Sequence, residues 1–364
     1  MFSGFGDIPE LPLDEAFLLT AAFKADDHPQ KVSLGAGVYK DEDGKPWILS
    51  SVKQAEKILY EASLDHEYLP IQGNDVFLSL ARELAFGETG SKGNIVSMQS
   101  ISGTGANHLG AKFLAEQLEP KHVWISDPTW GNHHLLWTVA GPNVIQKKYP
   151  YYDAAKGSLD SDGMMAALET AEENDVVLLH ACAHNPTGID LTPEQWRPVA
   201  DLCKRKRLFV FFDSAYQGFA SGDVDADAWA VRYFQEAIFD TQNPLAGMCL
   251  AQSFAKSFGL YGERAGAFHL ILPPGVQSAA ARSQLLRLTR AEISTPPLYG
   301  ARIVETVLSD PKLRAMWKAD LLTMSGRIKQ VRSMLRREIE KLPRSGDWSR
   351  LETQIGMFSY TAAE

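Results

Sequence analysis

The sequence predicts an α/β fold, with a large domain built on a mostly parallel seven-stranded sheet covered by helices and a smaller α/β domain. From about residue 97, short apolar runs alternate with segments of helical length, as in proteins that join parallel strands through helices. The runs 176–179 and 208–212 are apolar at every position, which is typical of strands covered on both faces.

A chain of 364 residues is long enough to form one large domain together with a smaller one. We expect residues 1–48 to form an N-terminal arm and part of the small domain. Residues 49–310 are expected to form the large cofactor-binding domain. Residues 311–364 are expected to continue the small domain, which would be incomplete at its C-terminal end.

The chain that precedes the sheet is predicted to contain an arm, a short strand and two helices. Residues 1 to about 30 carry three prolines and are expected to be irregular. Residues 32–39 favour a short strand that ends in a glycine loop, and at Gly37 the backbone can approach a ligand closely. Helical patterns follow near 52–63 and 75–86.

The sheet strands are short apolar runs, and a helical region follows them. The candidate strands lie near 97–101, 122–126, 143–147, 175–181, 208–213, 247–252 and 265–272. Beyond Pro296 and Pro297 an apolar stripe from Leu321 to Leu342 has helical spacing. The basic residues beside this stripe are expected to be solvated, namely Arg327, Lys329, Arg332 and Arg336. Residues 356–360 favour a strand of the smaller domain.

Charge and composition exclude several classes of function. A net charge of −9 argues against a nucleic-acid partner, because binding to phosphate backbones needs a basic face. Cys182, Cys203 and Cys249 lie in apolar runs without paired spacing and are expected to be buried thiols. No signal peptide, transit peptide or membrane span is expected, so a cytoplasmic location is predicted. The histidines lack metal-ligand spacing, and no metal is expected.

A lysine after the apolar run that begins near Met248 is the first candidate for chemistry. Taken alone, Lys256 fits an ordinary surface lysine, since most lysines are solvated. Ser253 and Arg264 change that interpretation, because a hydroxyl and a forked guanidinium are groups that hold phosphate. A phosphate site beside a lysine that can form a Schiff base predicts pyridoxal phosphate as the cofactor.

Two further motifs follow predicted strands. Ser102, Gly103 and Thr104 open a helix, where amides and hydroxyls can hold a phosphate, although tight-turn glycines are the simpler reading of this motif alone. Asp213 ends a buried strand, where it would keep a pyridine nitrogen protonated or else cap the next segment. Tyr216 supplies a phenol for the oxygen of the same ring.

Asn185 and Trp130 complete the set of candidates that the residues themselves suggest. Asn185 can donate to a ring oxygen, and its bond to Pro186 is a candidate cis peptide, with a plain turn as the alternative. Trp130 can stack on a planar ring, although a tryptophan is more often part of a core.

Six motifs, in this order and spacing, resemble those of class I aspartate aminotransferases, and the eukaryotic cytosolic forms are the most similar. The resemblance covers essentially the whole chain. The motifs are Tyr68-Leu-Pro-Ile, Ser102-Gly-Thr-Gly-Ala, Trp130-Gly-Asn-His, Asn185-Pro-Thr-Gly, Asp213-Ser-Ala-Tyr-Gln-Gly-Phe and Ser253-Phe-Ala-Lys-Ser-Phe-Gly-Leu-Tyr-Gly-Glu-Arg.

The resemblance implies a fold of pyridoxal-phosphate-dependent transferases and a role for each matched residue. Lys256 would carry the cofactor and move the proton, with Asp213 and Tyr216 as further catalytic residues. Asp213 would pair with the ring nitrogen, His133 would stand behind Asp213, and Asn185 and Tyr216 would hold the ring oxygen. The phosphate would be bound by Ser102, Gly103, Thr104, Ser253 and Arg264, together with Tyr68 of the partner subunit.

The resemblance also implies the substrates and a homodimer with shared active sites. Small amino and 2-oxo acids would bind at Gly37, Trp130, Asn185 and Arg290, and Arg290 would reach across the dimer to the distal carboxylate of aspartate or glutamate. Residues 291–295 depart from the common family pattern around this arginine.

The family continues for a few dozen residues beyond the motif at 356–360, and that segment carries the arginine that binds the α-carboxylate. No residue of this sequence is assigned that role. Two readings follow: an aminotransferase that converts L-aspartate and 2-oxoglutarate to oxaloacetate and L-glutamate, or a truncated chain. The truncated chain would bind cofactor with weak or no activity and would pair with a full-length subunit.

Overall fold

A computed structural model describes residues 6, 8–12, 15–33, 35, 37–87, 94–239, 245–343 and 346–361. The chain divides into two compact units, Met1–Val38 and Tyr39–Glu364. Among the described residues, no helix combines the length and the apolar character that crossing a membrane requires.

The larger unit is built on a seven-stranded sheet with the order β1-β9-β8-β7-β6-β2-β3. Strands β2, β3, β6, β7 and β8 run parallel, and β9 pairs antiparallel with both β1 and β8. This confirms the predicted α/β class with a mostly parallel sheet. The seven strands are Asn94–Ile101 (β1), His122–Asp127 (β2), Ile145–Pro150 (β3), Val176–His180 (β6), Phe209–Ser214 (β7), Met248–Ser253 (β8) and Ala265–Leu272 (β9), and Tyr152–Asp153 (β4) and Ser158–Leu159 (β5) form a separate ribbon.

Helices make up most of the described chain outside the strands. Those up to the seventh strand are Glu15–Ala25 (α1), Ser50–Ala62 (α2), Asp75–Phe86 (α3), Ser102–Gln117 (α4), Asn132–Ala140 (α5), Ser161–Leu168 (α6) and Pro193–Lys206 (α7). Those after it are Val224–Asp227 (α8), Trp229–Ile238 (α9), Ser278–Glu292 (α10), Tyr299–Ser309 (α11), Pro311–Ile339 (α12) and Arg350–Thr353 (α13).

Alternate residues of the central strands enter cores on opposite faces of the sheet. In β7, Val210 and Phe212 belong to one core, whereas Phe209 and Phe211 belong to another. Every residue of this strand is buried, which is why its first four residues are all apolar rather than alternating. Helix α4 packs closely on this sheet, since a Cβ at Gly110 would lie 2.7 Å from the Phe211 ring.

Three elements differ from the prediction. Residues 15–25 form a helix rather than part of an irregular arm, because Ala and Leu favour a helix once the prolines are passed. No strand occurs in the described residues of 32–39, and Leu34 and Ala36 lie outside them. Residues 356–360 form no strand either, because no neighbouring strand pairs with their backbone.

The apolar stripe of α12 is buried only in its first part. Leu321 and Met324 are fully buried, but Leu335 and, beyond the end of the helix, Leu342 are about half exposed. The expectation that the basic residues beside it are all solvated is wrong for Arg332, which is buried with 6% of its surface exposed. Its guanidinium donates to backbone carbonyls of the C-terminal segment, and helical spacing alone does not reveal such an acceptor.

A carboxylate on α12 caps the start of α2. The residue before α2, Leu49, provides no side-chain cap. Asp320 is buried and accepts from the Ser51 amide at 3.0 Å, the Ser51 hydroxyl at 2.7 Å and the Ser50 hydroxyl at 2.6 Å. It therefore supplies, from a distant helix, the acceptor that the free amides of a helix start require.

We expect Asp320→Ala to lower the free energy of unfolding by about 2–3 kcal/mol, because it leaves buried donors without an acceptor. Urea denaturation would measure this change. Asp43→Ala is the matched control, since that carboxylate is exposed and pairs only with exposed Lys45. Equal stability of Asp320→Ala and the parent chain would contradict the capping role.

Candidate active site

A cavity of about 240 Å³ lies at the ends of the central strands. Every predicted cofactor residue except Tyr68 lines it, so the structure brings together motifs that are distant in sequence. The lining residues are Ser102, Gly103, Thr104, Asn107, Trp130, His180, Cys182, Asn185, Asp213, Ala215, Tyr216, Ser253, Ala255, Lys256, Tyr261 and Arg264.

One wall of the cavity is the start of α4. The residue before this helix, Ile101, makes no side-chain cap, so the first-turn amides have no intrahelical partner. The Ser102 and Ser253 hydroxyl oxygens are 3.1 Å apart. A Cβ at Gly103 would lie 2.9 Å from the Ser253 Cβ, so only glycine fits there. The first-turn amides that follow Ser102, beside two hydroxyls, form a site for an anion.

Arg264 adds a positive charge to this wall. Its carbonyl accepts from the Ser102 amide at 3.0 Å, and its guanidinium donates to the Tyr261 carbonyl at 2.9 Å. A Cβ at Gly266 would lie 2.5 Å from the Ser102 carbonyl carbon, which shows how closely the two segments approach. Within the described chain no carboxylate pairs with this guanidinium. The wall is therefore suited to a phosphate group.

Asp213 provides the negative charge of the cavity. It is buried at the end of β7, and its Oδ2 accepts from His133 Nε2 at 3.0 Å. His133 Nδ1 lies 2.8 Å from the Thr129 hydroxyl. Burial acts to raise the pKa of Asp213, but the hydrogen bond and charge of His133 outweigh it, so the pKa is lowered. The carboxylate therefore stays ionised at neutral pH.

Lys256 is the amine of the cavity. Its Nζ lies 4.8 Å from the centre of the Tyr216 ring and makes no hydrogen bond to the residues that the structure describes. Burial lowers the pKa of Lys256; the negative charge of Asp213 opposes this effect and the positive charge of Arg264 adds to it. A larger fraction of the amine is therefore neutral, and neutral amines are nucleophilic.

Tyr216 and Asn185 offer unused hydrogen-bonding groups. The Tyr216 hydroxyl is buried without a partner in the described chain, and the Asn185 amide also makes no bond to it. The Asn185–Pro186 peptide bond is cis, as the sequence predicts. Asp190 fixes the preceding backbone by accepting from the Ala183 amide at 2.6 Å and the His184 amide at 2.9 Å. Unsatisfied buried groups at a cavity indicate a missing polar ligand.

Sequence reasoning missed His180 and Tyr261. His180 pairs in register with Asp213, and neither ring nitrogen has a partner among the described residues. Burial lowers its pKa to about 3, so the ring is neutral. Its position at the end of an apolar strand beside that of Asp213 was the available signal. The ligand atoms of His133, His180 and Asp213 lie within 4.8 Å of one another, so the absence of a metal stays a prediction.

Three predicted site residues lie outside the cavity. Tyr68 is 89% exposed, and Arg290 is exposed at the end of α10, where its guanidinium donates to the Ser294 hydroxyl at 2.7 Å. Gly37 belongs to the N-terminal unit. Their roles stay predictions.

Comparison with known proteins places the chain in a family. The family model described as aminotransferase class I and II matches residues 29–364. An L-tyrosine:2-oxoglutarate aminotransferase of Aspergillus ustus is 46% identical over an alignment of 372 residues that covers 98% of this chain and 70% of the relative.

Two solved structures have the same fold. Aspartate aminotransferase from Saccharomyces cerevisiae cytoplasm superposes with a TM-score of 0.94 at 41% identity, covering 99% of this chain and 88% of that one. Aromatic-amino-acid aminotransferase from Burkholderia pseudomallei, covalently bound to pyridoxal phosphate, gives a TM-score of 0.91 at 42% identity, covering 98% and 88%. This chain belongs to the class I and II aminotransferases and is a transaminase.

Proposed function

We propose that this transaminase uses pyridoxal phosphate held on Lys256 and exchanges L-aspartate and 2-oxoglutarate for oxaloacetate and L-glutamate. One observation carries the proposal: a single cavity places a lysine of lowered pKa between an anion site and a buried, ionised aspartate. Few other cofactors need a phosphate site, an amine and a carboxylate at once.

The unused groups of the cavity fit this cofactor. The first turn of α4, Ser253 and Arg264 would hold the phosphate. Asp213 would accept from the ring nitrogen and keep it protonated by its negative charge. The Asn185 amide and the buried Tyr216 hydroxyl would donate to the ring oxygen, and Trp130 would cover one face.

When bound, pyridoxal phosphate supplies an electron sink that makes the α-proton of an amino acid acidic. The Nζ of Lys256, when it is not bonded to the cofactor, would remove the α-proton of the amino acid and return it to the cofactor carbon that is bonded to the substrate nitrogen. His133 keeps Asp213 ionised through its 3.0 Å hydrogen bond. The cavity walls are largely buried, which excludes water from the proton transfer.

We propose a homodimer, because two predicted site residues are exposed and outside the cavity of their own chain. Tyr68 and Arg290 would complete the cavity of the opposite subunit, where Arg290 would bind the distal carboxylate. Gly37 is proposed to line the substrate site. The proposed domains remain 1–48, 49–310 and 311–364, and the proposed location is the cytoplasm, as for the yeast enzyme.

An aromatic substrate is the second candidate. It is favoured by the tyrosine aminotransferase of Aspergillus ustus, which is 46% identical to this chain. Arg290 is followed by Ala291, Glu292 and Ile293, and these residues depart from the common family pattern around this arginine. A cavity with Trp130 on its wall also provides a surface for an aromatic ring.

A single-turnover experiment separates the two candidates. The purified protein is loaded with pyridoxal phosphate, mixed with L-aspartate or L-tyrosine, and followed by visible absorbance and by the 2-oxo acid released. We expect aspartate to convert the cofactor faster at equal concentration, because a guanidinium binds a carboxylate strongly. Faster conversion by tyrosine would favour the second candidate, and no cofactor uptake would overturn the proposed function.

A further inference from the structure

Arg332, in the second half of α12, has surroundings unlike those of the other basic residues on that helix. It is 6% exposed and forms no ion pair with any acid in the described chain. Burial lowers its pKa to about 10, so the guanidinium still carries its charge at neutral pH. A buried charge without an opposite charge is kept only where hydrogen bonds replace the lost water.

Those hydrogen bonds all go to one segment, residues 354–358, which we call the C-terminal strap. The guanidinium donates to the carbonyl of Gln354, to that of Gly356 at 3.0 Å and to that of Phe358 at 2.7 Å. The backbone bends at Gly356, where φ is +82°, and its three alternate carbonyls all accept from this one guanidinium. The planar fork of an arginine can reach all three, which a lysine ammonium cannot do.

The other side of the strap lies on the loop that carries Asn185. The Ile355 amide donates to the Gly188 carbonyl at 2.7 Å. A Cβ at Gly188 would lie 2.8 Å from the Ile355 carbonyl oxygen, and one at Gly356 would lie 2.6 Å from the Ala183 Cβ. The strap therefore presses on both ends of the turn 183–188, without space between them.

We propose that Arg332 is a positioning residue: by clamping the C-terminal strap against Gly188, it fixes the turn that aims the Asn185 amide into the cavity. The inference rests on the proposed function for the role of Asn185 as donor to the ring oxygen of the cofactor. Asp190 holds the same turn from inside through the Ala183 and His184 amides. The turn is thus clamped between Asp190 and the strap.

The chemistry gives a readout that loss of stability alone would not produce. A hydrogen-bond donor at the ring oxygen of the cofactor stabilises the negative charge on that oxygen. It therefore lowers the pKa of the protonated nitrogen that joins the cofactor to Lys256. If Asn185 moves away, the pKa of that nitrogen rises. The other charged groups of the cavity, Asp213 and Arg264, do not touch Arg332 and are unchanged.

The test uses Arg332→Lys, which keeps the charge but cannot span three carbonyls. We expect the pH midpoint of the visible absorbance of the bound cofactor to rise by about one unit, as expected for a lost hydrogen bond to a charged oxygen. In the cofactor-free protein, we expect faster amide exchange in peptides covering 183–189 and 354–358. Arg337→Lys, an exposed position on the same helix, should change neither.

Two further variants keep the inference falsifiable if Arg332→Lys folds poorly. Gly188→Ala pushes a Cβ into the strap from the opposite side and should shift the midpoint in the same direction. In an Asn185→Ala background, Arg332→Lys should add no shift, because the donor is already gone. A full additional shift in that background, or an unchanged midpoint in both single variants, would overturn the proposal.

Failure of the proposed function would look different. If the parent protein takes up no pyridoxal phosphate, the proposed function is wrong. The exchange comparison without cofactor still decides whether Arg332 clamps the strap and the turn: unchanged exchange in Arg332→Lys would overturn the clamp. Cofactor uptake with an unmoved midpoint in both single variants would overturn the link from Arg332 to Asn185, and with it the proposal, while the proposed function would stand.

Discussion

Lys256→Ala should abolish both covalent cofactor attachment and transamination, and this is the largest effect that we expect. The amine is the only lysine Nζ that the described structure places in the cavity. Under the proposed function it would serve as the nucleophile that holds the cofactor and as the base that moves the proton, and neither function could pass to Asp213 or Tyr216 without loss of their own roles. Removal of a general base and nucleophile is expected to lower kcat by about 10⁴-fold or more.

Borohydride reduction followed by peptide mass spectrometry measures the attachment directly. The parent protein should carry pyridoxal phosphate on the peptide that contains Lys256, and Lys256→Ala should carry none. The phosphate site remains intact in this variant, so noncovalent binding of the cofactor should persist. Lys156→Ala, which changes an exposed lysine paired with Asp153, is the control. Label on another lysine of the parent would show that the assignment of Lys256 is wrong.

Much of this cavity could be predicted because its parts follow a simple rule of parallel sheets. Asp213 ends β7, Asn185 lies in the loop after β6, and the start of α4 follows β1 directly. Side chains just beyond strand ends meet at one edge of the sheet, so polar residues after apolar runs are recognisable candidates. The same runs located the strands to within a few residues, because strands covered on both faces are largely apolar.

The parts that could not be predicted depend on contacts between segments distant in sequence. Arg332 lies among basic residues with helical spacing, and its burial depends on carbonyls more than 20 positions later. The same applies to Asp320, whose serine partners are 269 and 270 positions earlier. A backbone acceptor has no sequence signature, so an arginine held by carbonyls is indistinguishable from a solvated one until the fold is known.

The strand expected at 356–360 shows the same limit. Its residues have the composition of a strand, but a strand also needs a neighbour with free backbone groups. Here the carbonyls of Gly356 and Phe358 are taken by Arg332 instead. Local propensity therefore did not reveal that this segment bends at Gly356 and pairs with no strand.

Arg290→Ala should reduce kcat/KM for aspartate and glutamate far more than for tyrosine, and this is the second large effect. A charge-assisted pair with a distal carboxylate is worth about 2–5 kcal/mol, which corresponds to a loss of about 30-fold to several thousand-fold. Tyrosine lacks the second carboxylate and should lose little. Arg287→Ala, one turn earlier and paired with Glu116, is the matched control. Equal losses for both substrates would remove Arg290 from the specificity role.

A mixture of two variants, each defective with aspartate, tests whether Arg290 acts across a dimer. Arg290 is exposed and outside the cavity of its own chain, so we expect it to serve Lys256 of the partner subunit. If so, hybrids of Lys256→Ala and Arg290→Ala contain one site with both residues intact, and mixing the two proteins restores aspartate turnover. If Arg290 serves its own chain, every site in the hybrid lacks one of the two residues, and mixing restores nothing. Native mass spectrometry of the same mixture shows whether subunits have exchanged, because the two variants differ in mass, so that absence of recovery after exchange would exclude action across the interface.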